Sequence, residues 1–154
     1  MSQPITFMLV DDDIDDTFLF REIINDVAPY IALRTAGNGQ EALDALNTLV
    51  SENAPLPDLI FLDLNMPRMD GKQCLSLLKS SDFLQHIPVI MYTTSSHSRD
   101  IEETMLNGAV SFITKPSHIS DLKTILASLA ANVRRNLLLT LRQLSETQNT
   151  FIVC

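Results

Sequence analysis

The sequence predicts an α/β fold: a doubly wound, five-stranded parallel sheet with helices on both faces. Two observations carry this. Five short apolar runs alternate with longer amphipathic ones, and the runs are continuously apolar, as in strands covered on both faces. Polar and charged residues then gather where the runs end, the edge at which open parallel sheets bind ligands.

The runs, in order, are Ile5–Val10, Ile31–Leu33, Leu59–Leu62, Val89–Tyr92 and Val110–Ile113. Ile14, Phe18, Ile23, Ile24 and Val27 mark the first helix, which ends before Pro29. Ala42, Leu43, Leu46, Leu49 and Val50 mark the second, and Cys74, Leu75, Leu77 and Leu78 the third. The loop "ENAPLPD" leads into the third strand. The fourth helix, near Ser98–Asn107, is polar and meets a C-capping Gly108. The fifth begins near Ile119. From there to about Glu146 there is neither Gly nor Pro, and Leu122, Ile125, Leu126, Leu129, Val133, Leu137, Leu141 and Leu144 recur at spacings of three and four. This stripe reads as one long helix or two with a kink. It either folds back onto its own domain or offers a surface to a second copy or a partner. The tail "NTFIVC" is open between a frayed end, an added strand and a docking peptide.

Composition narrows the function classes. The chain has 154 residues, 45% of them apolar, with a net charge of -8. That length supports a real core in one domain. The acidic balance disfavours nucleic acid and anionic membrane as partners. No run approaches the ~20 apolar residues of a membrane span, and the N-terminus lacks a signal-peptide pattern. Two cysteines, Cys74 and Cys154, make no disulfide framework. A reduced, cytoplasmic setting is expected. The scattered His86, His97 and His118 lack metal-site spacing and read as solvated. Cys74, Met66, Met69 and Met91 read as packing residues. Arg134, Arg135 and Arg142 are open between pairing with acids and meeting a partner.

The chemistry lies at the strand ends. Asp11 and Asp12 follow the first strand, Asp63 the third and Thr93 the fourth, and Lys115 closely follows the fifth. Asp13, Asp15 and Asp16 fall where the first helix starts, and carboxylates there favour its positive end by roughly 0.3–1 kcal/mol each. Asp11, Asp12 and Asp63 converge across the sheet edge. Two carboxylates about 4 Å apart repel by roughly 4 kcal/mol at an effective dielectric near 20. A divalent cation relieves that repulsion, and hard carboxylate oxygens suit Mg²⁺.

"LVDDDIDD", "DLIFLDLNMPRMDG", "IPVIMYTTSS" and "FITKP", in this order, resemble the receiver domain of two-component response regulators over residues 4–133. The resemblance implies a flavodoxin-like strand order of 2-1-3-4-5. It makes Asp63 the phosphoacceptor and Asp12 a direct Mg²⁺ ligand. Asp11 then binds the ion directly or through water, and the Asn65 backbone carbonyl completes the protein's share of the shell. Thr93 matches the switch hydroxyl, Lys115 the phosphate-binding amine, and Lys115–Pro116 a cis peptide bond. Asn65 and Ser95 match positions that affect how fast water removes the phosphoryl group. Phe112 matches the switch aromatic, where tyrosine is common, and is open between switch and plain core.

The function implied is a stand-alone response regulator, not an enzyme. It takes a phosphoryl group from a histidine kinase or histidine phosphotransfer protein and signals through protein contacts, or passes the group on as a relay intermediate. About twenty residues after 133 leave room for a helical extension and tail, not an output domain. The output face expected from the resemblance is the fourth helix, fifth strand and fifth helix, meeting an unknown downstream protein, and the apolar stripe prompts a homodimer. A dehalogenase-type phosphatase needs an acid where Asn65 stands, and a flavin module needs a phosphate-binding loop where "DDDIDD" stands.

Overall fold

In the computed structural model, which describes residues 3–148 and 150–154, the chain alternates strand and helix through five units and then adds a helix and a strand. The elements are β1 (Thr6–Val10), α1 (Ile14–Val27), β2 (Ala32–Ala36), α2 (Gly39–Ser51), β3 (Leu59–Leu62) and α3 (Gly71–Ser80). They continue with β4 (Val89–Thr93), α4 (Ser98–Leu106), β5 (Ser111–Thr114), α5 (Ile119–Asn132), α6 (Leu137–Thr147) and β6 (Ile152–Val153). The sheet order is β2-β1-β3-β4-β5-β6. The first five strands are parallel, in the expected order, and β6 is antiparallel to β5.

The continuous apolar runs reflect two cores, one on each face. Phe7, Leu9, Phe61, Tyr92 and Ile113 pack against α1, α5 and α6. Met8, Val10, Ile60, Met91 and Phe112 pack against α2, α3 and the apolar side of α4. Successive strand residues point to opposite faces, so a strand buried on both must be apolar throughout. On the first face, Phe20, Phe61 and Tyr92 form an edge-on aromatic cluster with centroids 5.0–6.0 Å apart. Cys74 is fully buried in the second core, as its place on the α3 stripe predicts.

Several expectations need correction. β2 is an edge strand, and only Ala36 of its five residues is buried. Ile14 and Phe18 are solvent-exposed, at 82% and 63%, because the buried stripe of α1 runs instead through Phe20, Ile23 and Ile24. Leu77 on α3 is likewise exposed. The sheet has a sixth strand in place of five, because "IV" of the tail pairs with the free edge of β5. Of the alternatives open for the apolar stripe after Ile119, two helices form, separated at residues 133–136, and α6 folds back onto the domain so that Leu141 and Leu144 enter the core with Leu126 and Leu129. Arg134, in that break, donates to Asp58 at 2.8 Å and to the Gln3 and Pro4 carbonyls, tying the turn to the start of β1 and β3. No helix of the described residues is long and apolar enough to cross a membrane.

Candidate functional site

The C-terminal ends of β1, β3, β4 and β5 lie side by side, so the loops that follow them meet. Asp11 leaves β1 with its backbone N–H bonded to the Ala36 carbonyl at 3.0 Å, and Asp63 leaves β3 bonded to the Val10 carbonyl at 3.0 Å. These ladder bonds fix the two acids relative to each other. Gly71, the first residue of α3, donates to the Leu64 carbonyl at 2.8 Å. A β-carbon there would collide with the Asp63 carbonyl oxygen and lie 2.8 Å from Leu64 Cα. Only glycine lets α3 start this close to the residue that carries the carboxylate.

Carboxylate oxygens of Asp11, Asp12 and Asp63 all lie within 4.8 Å of one another. Asp11 and Asp63 are buried, and Asp12 is exposed. Asp11 is the most committed of the three: its Oδ1 accepts from the Asp13 N–H at 2.9 Å and its Oδ2 from Lys115 Nζ at 2.7 Å. Asp63 Oδ1 accepts from the Leu64 N–H at 2.8 Å, while its Oδ2 stands 3.9 Å from Lys115 Nζ. Burial raises the Asp63 pKa above the usual carboxylate range, and Asp11 adds to this, while Lys115, Thr93 and the Leu64 N–H oppose it. The three oxygens make a hard, anionic donor set, and a divalent cation fits it.

Lys115 is almost enclosed. Its ammonium is 2.7 Å from both Asp11 Oδ2 and Asp16 Oδ2 and lies over the Tyr92 ring at 5.6 Å. Burial would discharge it, but the bonds to Asp11 and Asp16 outweigh that and leave its pKa raised. Thr93 is fully buried at the end of β4, and its Oγ1 accepts from the Ser95 N–H at 3.4 Å. The Ser95 hydroxyl donates to Asp100 at 2.7 Å, and Asp100 also pairs with Lys72 of α3 at 2.7 Å. The β4–α4 loop is thereby bound to both neighbouring helices.

The chain matches the response regulator receiver domain family over residues 7–127.

It belongs to that family.

The receiver is 37% identical over 113 residues to the polar-differentiation response regulator DivK of Brucella anthropi, covering 73% of this chain and 85% of that protein. Its fold is similar to the crystal structure of the phosphorylated cyanobacterial phytochrome response regulator RcpA. That match has a TM-score of 0.74 and 32% identity, over 82% of this chain and 91% of the other. The Mn²⁺-bound form of response regulator Rcp1 is similar as well, with a TM-score of 0.70 and 29% identity, over 83% of this chain and 93% of the other. The fold is the flavodoxin-like α/β receiver fold, and the chain is a phosphoacceptor signalling domain of two-component systems.

The receiver brings Asp11, Asp12, Asp63, Thr93 and Lys115 to one sheet edge, as the strand-end reading expects. Asn65 lies two residues past Asp63 in the exposed β3–α3 loop. The Lys115–Pro116 bond is trans, in place of the expected cis isomer; no cis peptide bond occurs among the described residues. An X–Pro bond intrinsically favours trans by about 0.5–1 kcal/mol, and with the bond trans the Lys115 ammonium reaches both Asp11 and Asp16. Phe112 is fully buried against the α2–α3–α4 face, paired with Met91 on one side and Val153 on the other. Two residues that matter to the site carry only local signals in the sequence: Asp16 as a helix-start carboxylate and Gly71 as part of a motif. Spacing along one helix gives no signal for a contact 99 residues away.

Proposed function

We propose that Asp63 is the phosphoacceptor and that the donor is a phosphohistidine on a histidine kinase or phosphotransfer protein. Asp63 Oδ1 is engaged by the Leu64 N–H, which leaves Oδ2 to attack phosphorus. The new O–P bond forms as the N–P bond to the imidazole breaks, and the imidazole leaves with the electron pair. Such transfers depend on positioning and charge neutralisation. The buried Lys115 ammonium supplies a fixed positive charge beside the acceptor, and the Thr93 hydroxyl offers a hydrogen bond to a phosphoryl oxygen.

Asp11, Asp12 and Asp63, with the Asn65 backbone carbonyl, are the proposed Mg²⁺ ligands. The observation that carries this is the clustering of three carboxylate oxygens within 4.8 Å. With both Asp11 oxygens already bonded, the exposed Asp12 and the acceptor Asp63 are the freer donors. When bound, Mg²⁺ supplies positive charge that offsets the acids and the entering phosphoryl group.

Phosphorylation is read out through protein contacts, with Thr93 and Phe112 as the coupled pair behind β4 and β5. The receiver unit spans residues 4–133, and the extension after it contributes α6 and the edge strand β6. Most of the apolar stripe is buried, so on α6 a homodimer has in its support the exposed Leu138 and Leu139, which lie outside the stripe. A cytoplasmic setting is supported by the two free thiols. Acetyl phosphate with Mg²⁺ tests the chemistry: intact mass rises by one phosphoryl group in the wild type and not in Asp63→Asn. A wild-type mass that never rises, or an Asp63→Asn mass that does, overturns the assignment.

A further inference from the structure

The ammonium of Lys115 is next to the buried acceptor but does not pair with it. It is 2.7 Å from Asp11 Oδ2 and 2.7 Å from Asp16 Oδ2, yet 3.9 Å from Asp63 Oδ2. The last separation is beyond hydrogen-bond range. A buried carboxylate beside a buried cation should close to a direct pair unless something holds the cation back. Asp16 is the second carboxylate bonded to it, at 2.7 Å, and competes with Asp63 for the ammonium. Its backbone is held at the start of α1, where the Asp16 N–H donates to Asp13 Oδ1 at 3.0 Å.

An ammonium has three N–H donors. Asp11 and Asp16 take two, and the third is uncommitted. We propose that Asp16 is a positioning residue for phosphoryl acceptance. It tethers Lys115 away from Asp63 Oδ2, so that this oxygen stays free to attack and the third N–H stays free for the phosphoryl group. With Asp11 as its single partner, the ammonium pivots onto Asp63, quenches the free oxygen and occupies the approach to it. This inference rests on the phosphoacceptor reading above and adds a residue that the reading does not require.

The test is the initial rate of phosphoryl gain from acetyl phosphate in Mg²⁺, followed by intact mass. Asp16→Ala should be slower by up to about a hundredfold, the scale expected when a catalytic group is displaced by about an ångström. Asp16→Asn, which keeps an acceptor oxygen in place, should recover part of that. In a Lys115→Met background Asp16→Ala should cause no further loss, whereas a merely structural role would slow both backgrounds alike. An independent readout needs neither Mg²⁺ nor phosphoryl donor: the ¹⁵N-detected signal of the Lys115 ammonium should shift and its protons exchange faster in Asp16→Ala. An Asp16→Ala rate equal to wild type, an equal loss in the Lys115→Met background, or an unchanged ammonium signal overturns the tether and leaves the phosphoacceptor reading intact. A wild-type protein that gains no phosphoryl group overturns both.

Discussion

Gly71 and Asp63 stand back to back: a β-carbon on Gly71 would run into the carbonyl oxygen of Asp63, and the Gly71 N–H donates to Leu64, the next residue along. The helix that follows the acceptor loop therefore starts against the acceptor's own backbone. Gly71→Ala should destabilise the protein by about 1–3 kcal/mol through overpacking. At about 2–4 °C per kcal/mol for a chain of this size, calorimetry should show a clear drop in Tm. Because the displaced backbone belongs to Asp63, phosphorylation should slow more than Asp63-independent properties change. An unchanged Tm would mean that α3 can shift without cost.

Burial raises the Asp63 pKa in the folded protein. The sign follows directly. A carboxyl whose folded pKa lies above its unfolded value favours folding while protonated, and that contribution is lost as pH rises from about 3.8 through the raised value. Asp63→Asn removes the titration. Denaturant unfolding should then find Asp63→Asn more stable than wild type near neutral pH, with the advantage shrinking as pH falls through the raised Asp63 pKa towards about 3.8. A stability difference independent of pH would contradict the burial effect.

A divalent cation that binds only the folded acid cluster must raise stability by mass action. At a hundredfold excess over Kd the gain is about 2.7 kcal/mol. Mg²⁺ or Mn²⁺ should therefore raise the wild-type Tm by several degrees, with a smaller rise in Asp12→Asn and Asp63→Asn. Asp12 is exposed and lacks a hydrogen-bond partner among the described residues, so its loss should act on the metal alone. An equal rise in all three proteins would place the cation elsewhere.

The tail covers the edge of the sheet. Ser111 Oγ donates to the Val153 carbonyl at 2.7 Å, and the Thr114 N–H donates to the Phe151 carbonyl at 3.0 Å. Removing residues 151–154 bares the β5 edge, a template for pairing with other chains. The truncated protein should melt lower and sediment increasingly as oligomers with concentration. A truncation that stays as monodisperse as the full chain would show that β6 is not needed to protect this edge.

Much of the fold and site was legible in the residues themselves. Continuous apolar runs such as "LIFL" and "VIMYT" encode strands buried on both faces, and helical spacing in "ALDALNTLV" encodes the face of α2. Asp11, Asp12, Asp63, Thr93 and Lys115 declared themselves because a parallel sheet sends the ends of all its strands to one edge. That rule needs no knowledge of the partners. These signals are local, carried by side-chain type and period within one element.

Tertiary structure decided what depends on partners far apart in the chain. It folded α6 back onto α5, where sequence left a helix folded onto its own domain and an interface equally open. It set "IV" of the tail against β5, placed Ile14 and Phe18 in solvent, and kept Lys115–Pro116 trans. It also turned Asp16 from a helix-start carboxylate into a ligand of Lys115, and made Gly71 a contact of Asp63. A periodic pattern states which residues must be covered, but not by what. The covering element, and the carboxylate that reaches a given ammonium, are fixed only when separate segments compete for the same space and charge.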